Sequence, residues 1–224
     1  MSLNIIILAA GKGKRMHSSL PKVMHKVGGK SMLEHVLISA KKLNPSSINV
    51  VLSPKIESIK KSFGSYDIAW HSQSEQKGTA DAVKIVLPSL KEDEKVLILY
   101  ADTPLIDANL LDKFINYMPK SDVKVLTVNL EKPFGYGRII REQAEEEIIS
   151  KIIEETEADD LQKSIKECNT GIIFSDVSTL NSLINEVKND NSKKEFYLTD
   201  IVSIANLKNM MVVPLLSNET NSLL

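Results

Sequence analysis

Asn4-Ile5-Ile6-Ile7-Leu8 runs directly into Ala9-Ala10-Gly11-Lys12-Gly13-Lys14-Arg15-Met16, with Lys22 six positions further on. The stretch 4–8 is the apolar pattern of a parallel strand buried on both faces. The loop after this strand is small, glycine-bearing and basic. Alanine and glycine let the backbone come close to a ligand, and successive N–H groups in such a loop cradle phosphates. Lys12, Lys14, Arg15 and Lys22 place four cations within eleven residues. The combination points to a polyanionic substrate such as a nucleoside triphosphate, with a solvated basic turn after a strand as the plain alternative.

Three familiar loops are excluded. A dinucleotide-binding G-x-G-x-x-G would have glycine where Met16 stands. Gly11 and Gly13 are too close for a G-x-x-x-x-G-K-[ST] phosphate loop. A protein-kinase glycine loop needs a downstream H-R-D, which this chain lacks. The net charge of -1 gives no general attraction to nucleic acid or membrane, so the N-terminal cations form a local site. The single cysteine, Cys168, permits no internal disulfide and suits a reducing compartment, where it is expected to be a small packing residue. No apolar run approaches the roughly 20 residues of a spanning helix, and the start reads as a core strand, not a signal peptide. His17, His25, His35 and His71 show no metal-ligand spacing.

Outward from the first strand the chain alternates. Residues 31–40 read as an amphipathic helix with Ser31 as N-cap and Glu34 completing a capping box. Apolar stretches at 48–52, 68–70, 96–100 and 123–128 read as strands, with helical patterns at 56–63, 79–87 and 109–118 between them. This is the rhythm of right-handed βαβ units, an α/β domain with a mostly parallel sheet. After Leu130 the rhythm changes. Residues 138–141 and 148–153 flank Glu145-Glu146-Glu147 and read as a hairpin with an acidic tip. A boundary is therefore expected near Glu131, separating a nucleotide-binding lobe (1–130) from a smaller α+β lobe with a returning C-terminal segment (131–224).

Several further segments bear on function. They are Leu20-Pro21-Lys22, Gln73-Ser74-Glu75-Gln76-Lys77-Gly78-Thr79-Ala80, Tyr100-Ala101-Asp102-Thr103-Pro104-Leu105 and Gly135-Tyr136-Gly137-Arg138-Ile139, then Ile152-Ile153-Glu154, Glu167-Cys168-Asn169-Thr170-Gly171 and Glu195-Phe196-Tyr197-Leu198-Thr199-Asp200. On residues alone, Asp102 after a strand reads equally as a metal carboxylate or as the cap of a turn shaped by Pro104. Gln73 reads as a strand-end polar residue whose amide can both donate and accept. In this order and spacing, and together with L-A-A-G-x-G-x-R-M at 8–16, the segments resemble the sugar-1-phosphate nucleotidylyltransferases. They most closely resemble the uridylyltransferase half of the bacterial bifunctional N-acetylglucosamine-1-phosphate uridylyltransferases, along essentially the whole chain.

The resemblance implies a Rossmann-like nucleotidyltransferase fold with a mostly parallel mixed sheet and a sugar-binding lobe. It implies a cytoplasmic, Mg²⁺-dependent enzyme that supplies a peptidoglycan precursor. UTP and N-acetylglucosamine 1-phosphate would give UDP-N-acetylglucosamine and pyrophosphate. Transfer between two polyanions is catalysed mostly by positioning and charge neutralisation. By resemblance, Leu8, Ala9, Ala10 and Gly11 give backbone contacts to the nucleotide, Arg15 neutralises the pyrophosphate, and Lys22 sits on the α-phosphate or sugar phosphate. Asp102 is the metal ligand, with Tyr100 and Ala101 beside it. Gln73, Gly78 and Thr79 read the base; Gly137, Glu154 and Asn169 hold the sugar.

Some positions depart from the family's pattern. Ala101 stands for the usual glycine, Asp81 for histidine or a small residue, and Lys14 for threonine. A second metal ligand, asparagine in G-V-N-[ND], has only Asn221 as a candidate. No hexapeptide repeat of a β-helix is present, so acetyltransferase activity is not expected, and a monomer is favoured. Two alternatives remain: another nucleotidylyltransferase of this type, using dTTP or CTP and a different sugar, or a non-catalytic UDP-sugar-binding fragment.

Overall fold

The apolar run at the start of the chain forms strand β1 (Leu3–Leu8), which lies inside the sheet, not at its edge. The computed structural model describes residues 2–11, 13, 16, 18–118, 120–141 and 148–219. After β1 come β2 (Lys26–Val27), β3 (Lys30–Ser31), α1 (Met32–Lys42), β4 (Ser47–Leu52), β5 (Ala69–Ser72), α2 (Thr79–Val86) and β6 (Lys95–Tyr100). The chain continues through α3 (Ala108–Asn116), β7 (Val123–Asn129), β8 (Arg138–Arg141), β9 (Ile149–Ile153), α4 (Asp160–Lys163), β10 (Glu167–Asp176), α5 (Val177–Ile184), α6 (Asp200–Leu207) and β11 (Val212–Ser217).

Among the described residues the main sheet has the order β11-β7-β10-β6-β1-β4-β5, with the β8–β9 hairpin joined through β10. The pairs β6–β1, β1–β4, β4–β5 and β7–β11 are parallel, and β10 alone runs antiparallel between β6 and β7. The fold is thus an α/β, mostly parallel mixed sheet. β7, from before Glu131, and β10 and β11, from after it, share this sheet.

Alternation along β1 explains the apolar run. Ile5 and Ile7 enter the core on one face with Leu33, Val36 and Leu37 of α1 and Leu111 and Phe114 of α3. Ile6 and Leu8 enter the core on the other face with Val83 and Val86 of α2, Leu180 and Leu183 of α5, and Ile201 of α6. A strand covered on both faces has no solvent side, so it carries no polar alternation.

Local expectations were met in part. Ser31 caps α1 by accepting from the Glu34 N–H at 3.2 Å, while the Glu34 carboxylate does not close the other half of the box. The 56–63 pattern forms a 3-10 helix spanning Pro54–Phe63. The 138–153 hairpin forms, with Arg138 opposite Ile153, and its acidic tip lies outside the described residues. No described helix is long and apolar enough to cross a membrane.

Candidate active site

The carboxyl ends of β1, β4, β5 and β6 come together at one edge of the sheet, where open α/β sheets bind ligands. The ladder runs slightly past the strands there. Ala9 donates to the Val51 carbonyl (2.9 Å), Ala101 to Leu8 (3.0 Å) and Gln73 to Leu52 (2.7 Å). Leu8, Ala9 and Ala10 are buried, and Gly11 opens onto free space. Gly13 lies against the backbone and Cβ of Lys22. Lys12, Lys14, Arg15 and Asn221 fall outside the described residues.

Lys22 opens a short 3-10 turn fixed by Pro21, and its Nζ meets Asp102 Oδ2 at 2.5 Å across 80 residues of chain. Asp102 lies just past β6, and the 3-10 turn that follows the first loop brings Lys22 onto it. Ala101 is fully buried in the core and has no positive φ, so its methyl group adds no backbone strain.

Tyr100 connects the two ends of the cleft. Burial, first, and the charges of Glu154 and Asp102 push its phenol well above the usual range, while a hydrogen bond with Thr79 works the other way. Thr79 Oγ1 also accepts from the Leu198 N–H at 2.9 Å, holding the 195–200 segment over the site. Gly171 is required beneath the Tyr100 ring: its φ is +83°, and a Cβ there would lie 2.5 Å from the ring.

Gly78 is held by a backbone constraint of its own. At φ +125° and ψ 177° it occupies backbone space essentially reserved for glycine, and the Phe196 backbone fills the place of a Cβ. Phe196 donates to the Lys77 carbonyl (2.7 Å) and accepts from the Ala80 N–H (3.0 Å). Gln73 is buried, and its Nε2 donates to the Gly78 carbonyl (2.9 Å) and to Asp81 Oδ2 (2.8 Å). Gln76 donates to the Ala10 carbonyl, tying this segment to the first loop.

The far end is built on β9 and β10. Glu154 follows β9 and accepts from the Thr199 hydroxyl at 2.9 Å. Gly137 accepts from the Asn169 N–H (2.9 Å), and a Cβ on Gly137 would crowd Ile152 and approach Glu154 Oε1. Asn169 Oδ1 accepts from the Gly171 N–H (2.9 Å) where β10 bulges. A cleft of about 350 Å³ opens here between Ile153, Glu154, Glu157, Asp190, Tyr197 and Asp200. Burial and then the Glu154 charge push the Asp200 carboxyl up to about 6. A hollow of about 420 Å³ beside Lys41, Lys42 and Tyr66 contains none of the motif residues and is not the site.

Arg138 is the largest fully buried side chain; it pairs with Glu155 at 2.8 Å and donates to the Tyr136 carbonyl. Cys168 is buried, and burial pushes its thiol up to about 11, which suits packing better than nucleophilic chemistry. The structure therefore links Gln73, Gly78 and Thr79, through Tyr100, to Lys22 and Asp102 on one side and to Glu154 on the other. Asp81, Thr199 and Asp200 also belong to this arrangement. Their residue types were visible in the sequence, but their partners lie 8, 45 and 46 positions away.

This layout, with an open glycine after the first strand and a carboxylate after its parallel neighbour, agrees with the sequence comparison. The chain belongs to the family of MobA-like NTP transferase domains, matched over residues 5–166. The bifunctional protein GlmU of Idiomarina loihiensis is 44% identical to it over 205 residues, which is 92% of this chain and 44% of that protein. The chain thus spans less than half the length of this curated relative.

Solved structures at lower identity share the fold. One is a putative glucose-1-phosphate thymidylyltransferase from Bacillus anthracis in complex with sucrose (TM-score 0.75, 20% identity, 97% of this chain and 87% of that one). A UDP-glucose pyrophosphorylase complexed with UDP-glucose has TM-score 0.76 at 16% identity, covering 96% and 90%. The inositol-1-phosphate CTP transferase from T. maritima has 0.73 at 15%, covering 95% and 84%.

Proposed function

We propose that this chain is a uridylyltransferase making UDP-N-acetylglucosamine. A phosphate oxygen of N-acetylglucosamine 1-phosphate attacks the α-phosphorus of UTP in line. The bond from that phosphorus to the β-phosphate oxygen breaks, and pyrophosphate leaves. The observation that carries this reading is the Lys22–Asp102 pair just past the carboxyl end of β6. A transfer between polyanions needs a mobile cation beside a metal-holding carboxylate, and no nucleophilic side chain. The 44% identity to a bifunctional GlmU supports the uridylyl and N-acetylglucosamine assignments.

In this reading Leu8, Ala9, Ala10 and Gly11 lend backbone groups to the nucleotide and Arg15 neutralises the departing pyrophosphate. Lys22 exchanges Asp102 for the α-phosphate or the sugar phosphate. Asp102 suits Mg²⁺ because it is a single carboxylate, about one-third exposed, which would leave most of the metal's shell to waters and phosphate oxygens. Mg²⁺ bound there supplies charge neutralisation on the phosphates, with Asn221 as a candidate second ligand. Gln73, Gly78 and Thr79 hold the base, and Tyr100 and Ala101 border the phosphates. Gly137, Glu154 and Asn169 take the sugar. The nucleotide end is drawn from 1–130 and the sugar end from 131–224. We place the reaction in the cytoplasm, as a source of peptidoglycan precursor, with the chain as a monomer.

Pyrophosphate release with Mg²⁺ tests this, pairing UTP, dTTP, CTP or ATP with N-acetylglucosamine 1-phosphate or glucose 1-phosphate. Release confined to UTP and the acetamido sugar is expected. Silence at every Mg²⁺ concentration would overturn the reading. Release with dTTP would favour a thymidylyltransferase, the second reading, because thymine presents the same imide edge as uracil to Gln73.

A further inference from the structure

The Gln73 amide nitrogen faces two acceptors. Nε2 donates to the Gly78 carbonyl and to Asp81 Oδ2, and the residue is only 3% exposed. Neither neighbour can donate: one is a backbone carbonyl, the other a carboxylate. Turning the amide over would place Oε1 against both, with no hydrogen between three oxygens. The Gly78 carbonyl is fixed by the backbone, since Phe196 locks that glycine in place. Asp81 sits in the first turn of α2, where the helix dipole favours a carboxylate.

We propose that Asp81 is a specificity-determining positioning residue: by holding Gln73 Nε2, it leaves the amide able to present only an acceptor to the base. Uracil and thymine carry an N–H at ring position 3 and satisfy that acceptor. Cytosine carries a lone pair there and is repelled. The inference rests on the assignment of Gln73 to the base made under the proposed function, and it adds the reason the amide cannot adapt. Asparagine at position 81 would remove the Asp81 half of the restriction, because its amide can donate as readily as accept and would tolerate a flipped Gln73, leaving the Gly78 carbonyl as the remaining restraint.

Calorimetric titration of the whole chain with UTP and with CTP, in Mg²⁺, tests this without depending on turnover. Wild type is expected to prefer UTP by about 100-fold, the scale of leaving one buried acceptor without its donor. Asp81→Asn should lower that ratio about tenfold, mainly by admitting CTP, with UTP affinity within about threefold of wild type. Asp81→Ala, which leaves Gly78 as the only restraint, should lower it by about threefold; it decides the question if Asp81→Asn does not fold. A purely structural role would weaken both nucleotides together, so an unchanged UTP:CTP ratio overturns the inference and leaves the proposed function standing. Wild type that binds neither nucleotide overturns both.

Discussion

The two ends of the cleft are at rest in different ways. At the end built on β1 and β6 the polar groups satisfy one another. Lys22 holds Asp102, Gln73 holds Gly78 and Asp81, and Gln76 holds Ala10. At the end built on β9 and β10 carboxylates crowd together. Glu154 stands beside Asp200, whose carboxyl is pushed up to about 6 by burial and then by that charge. The Tyr197 hydroxyl, with Thr156 nearby, has no partner in hydrogen-bonding geometry. The first end must exchange internal bonds for those of a ligand. The second has acceptors in excess, and a ligand rich in hydroxyl and amide donors would relieve it.

The contrast can be broken most severely at Lys22. Lys22→Ala removes one cation from the first end, and, for the proposed reaction, pyrophosphate release is expected to fall about 10³-fold, the scale of losing one preorganised charge-stabilising group. Its melting temperature should barely move, since both partners of the pair are about one-third exposed.

Arg138→Ala attacks the frame of the other end. It deletes a buried guanidinium from β8 and strands Glu155, and urea unfolding should show a loss of about 3 kcal/mol. Gly78→Ala tests the join between the ends. Positive φ and the Phe196 backbone both oppose a Cβ, so a loss of about 2 kcal/mol is expected in the same measurement.

Asp200→Asn sharpens the comparison with the smallest effect. The Asp200 carboxyl rises from 3.8 when unfolded to about 6 when folded, so the folded state holds the proton more tightly. Its contribution to stability is complete below about pH 4 and disappears as pH rises through about 6. Asp200→Asn should flatten that slope and gain about 1 kcal/mol at pH 7, after discounting for partial solvent screening. Thermal melts from pH 4 to 8 would read it, and parallel curves for the two proteins would refute it.

Several features were readable in the linear chain because their cause is local. The Ile5–Leu8 run reports a strand with two covered faces, and Ser31 reports a helix start three residues before the N–H it caps. Position 101 was legible only as a question, and its answer needed the backbone: Ala101 is strain-free because its φ is not positive. Gly78 was legible as a needed glycine, but the reason for it, Phe196, lies 118 residues away.

The sequence by itself determined the set of groups: a strand, a small basic loop, Asp102, Gln73, and the glycines and carboxylates of the later motifs. These arise from side-chain chemistry and short-range periodicity, which operate over one or two turns of chain. Which group meets which was decided by tertiary structure. The 3-10 turn at Lys22 meets Asp102 at the end of β6, the reversed β10 carries Gly171 under Tyr100, and the 195–200 segment packs on Gly78, Thr79 and Glu154. The physical reason is that hydrogen bonds and desolvation depend on distances of a few ångströms between residues tens of positions apart. Only the packed sheet fixes those distances.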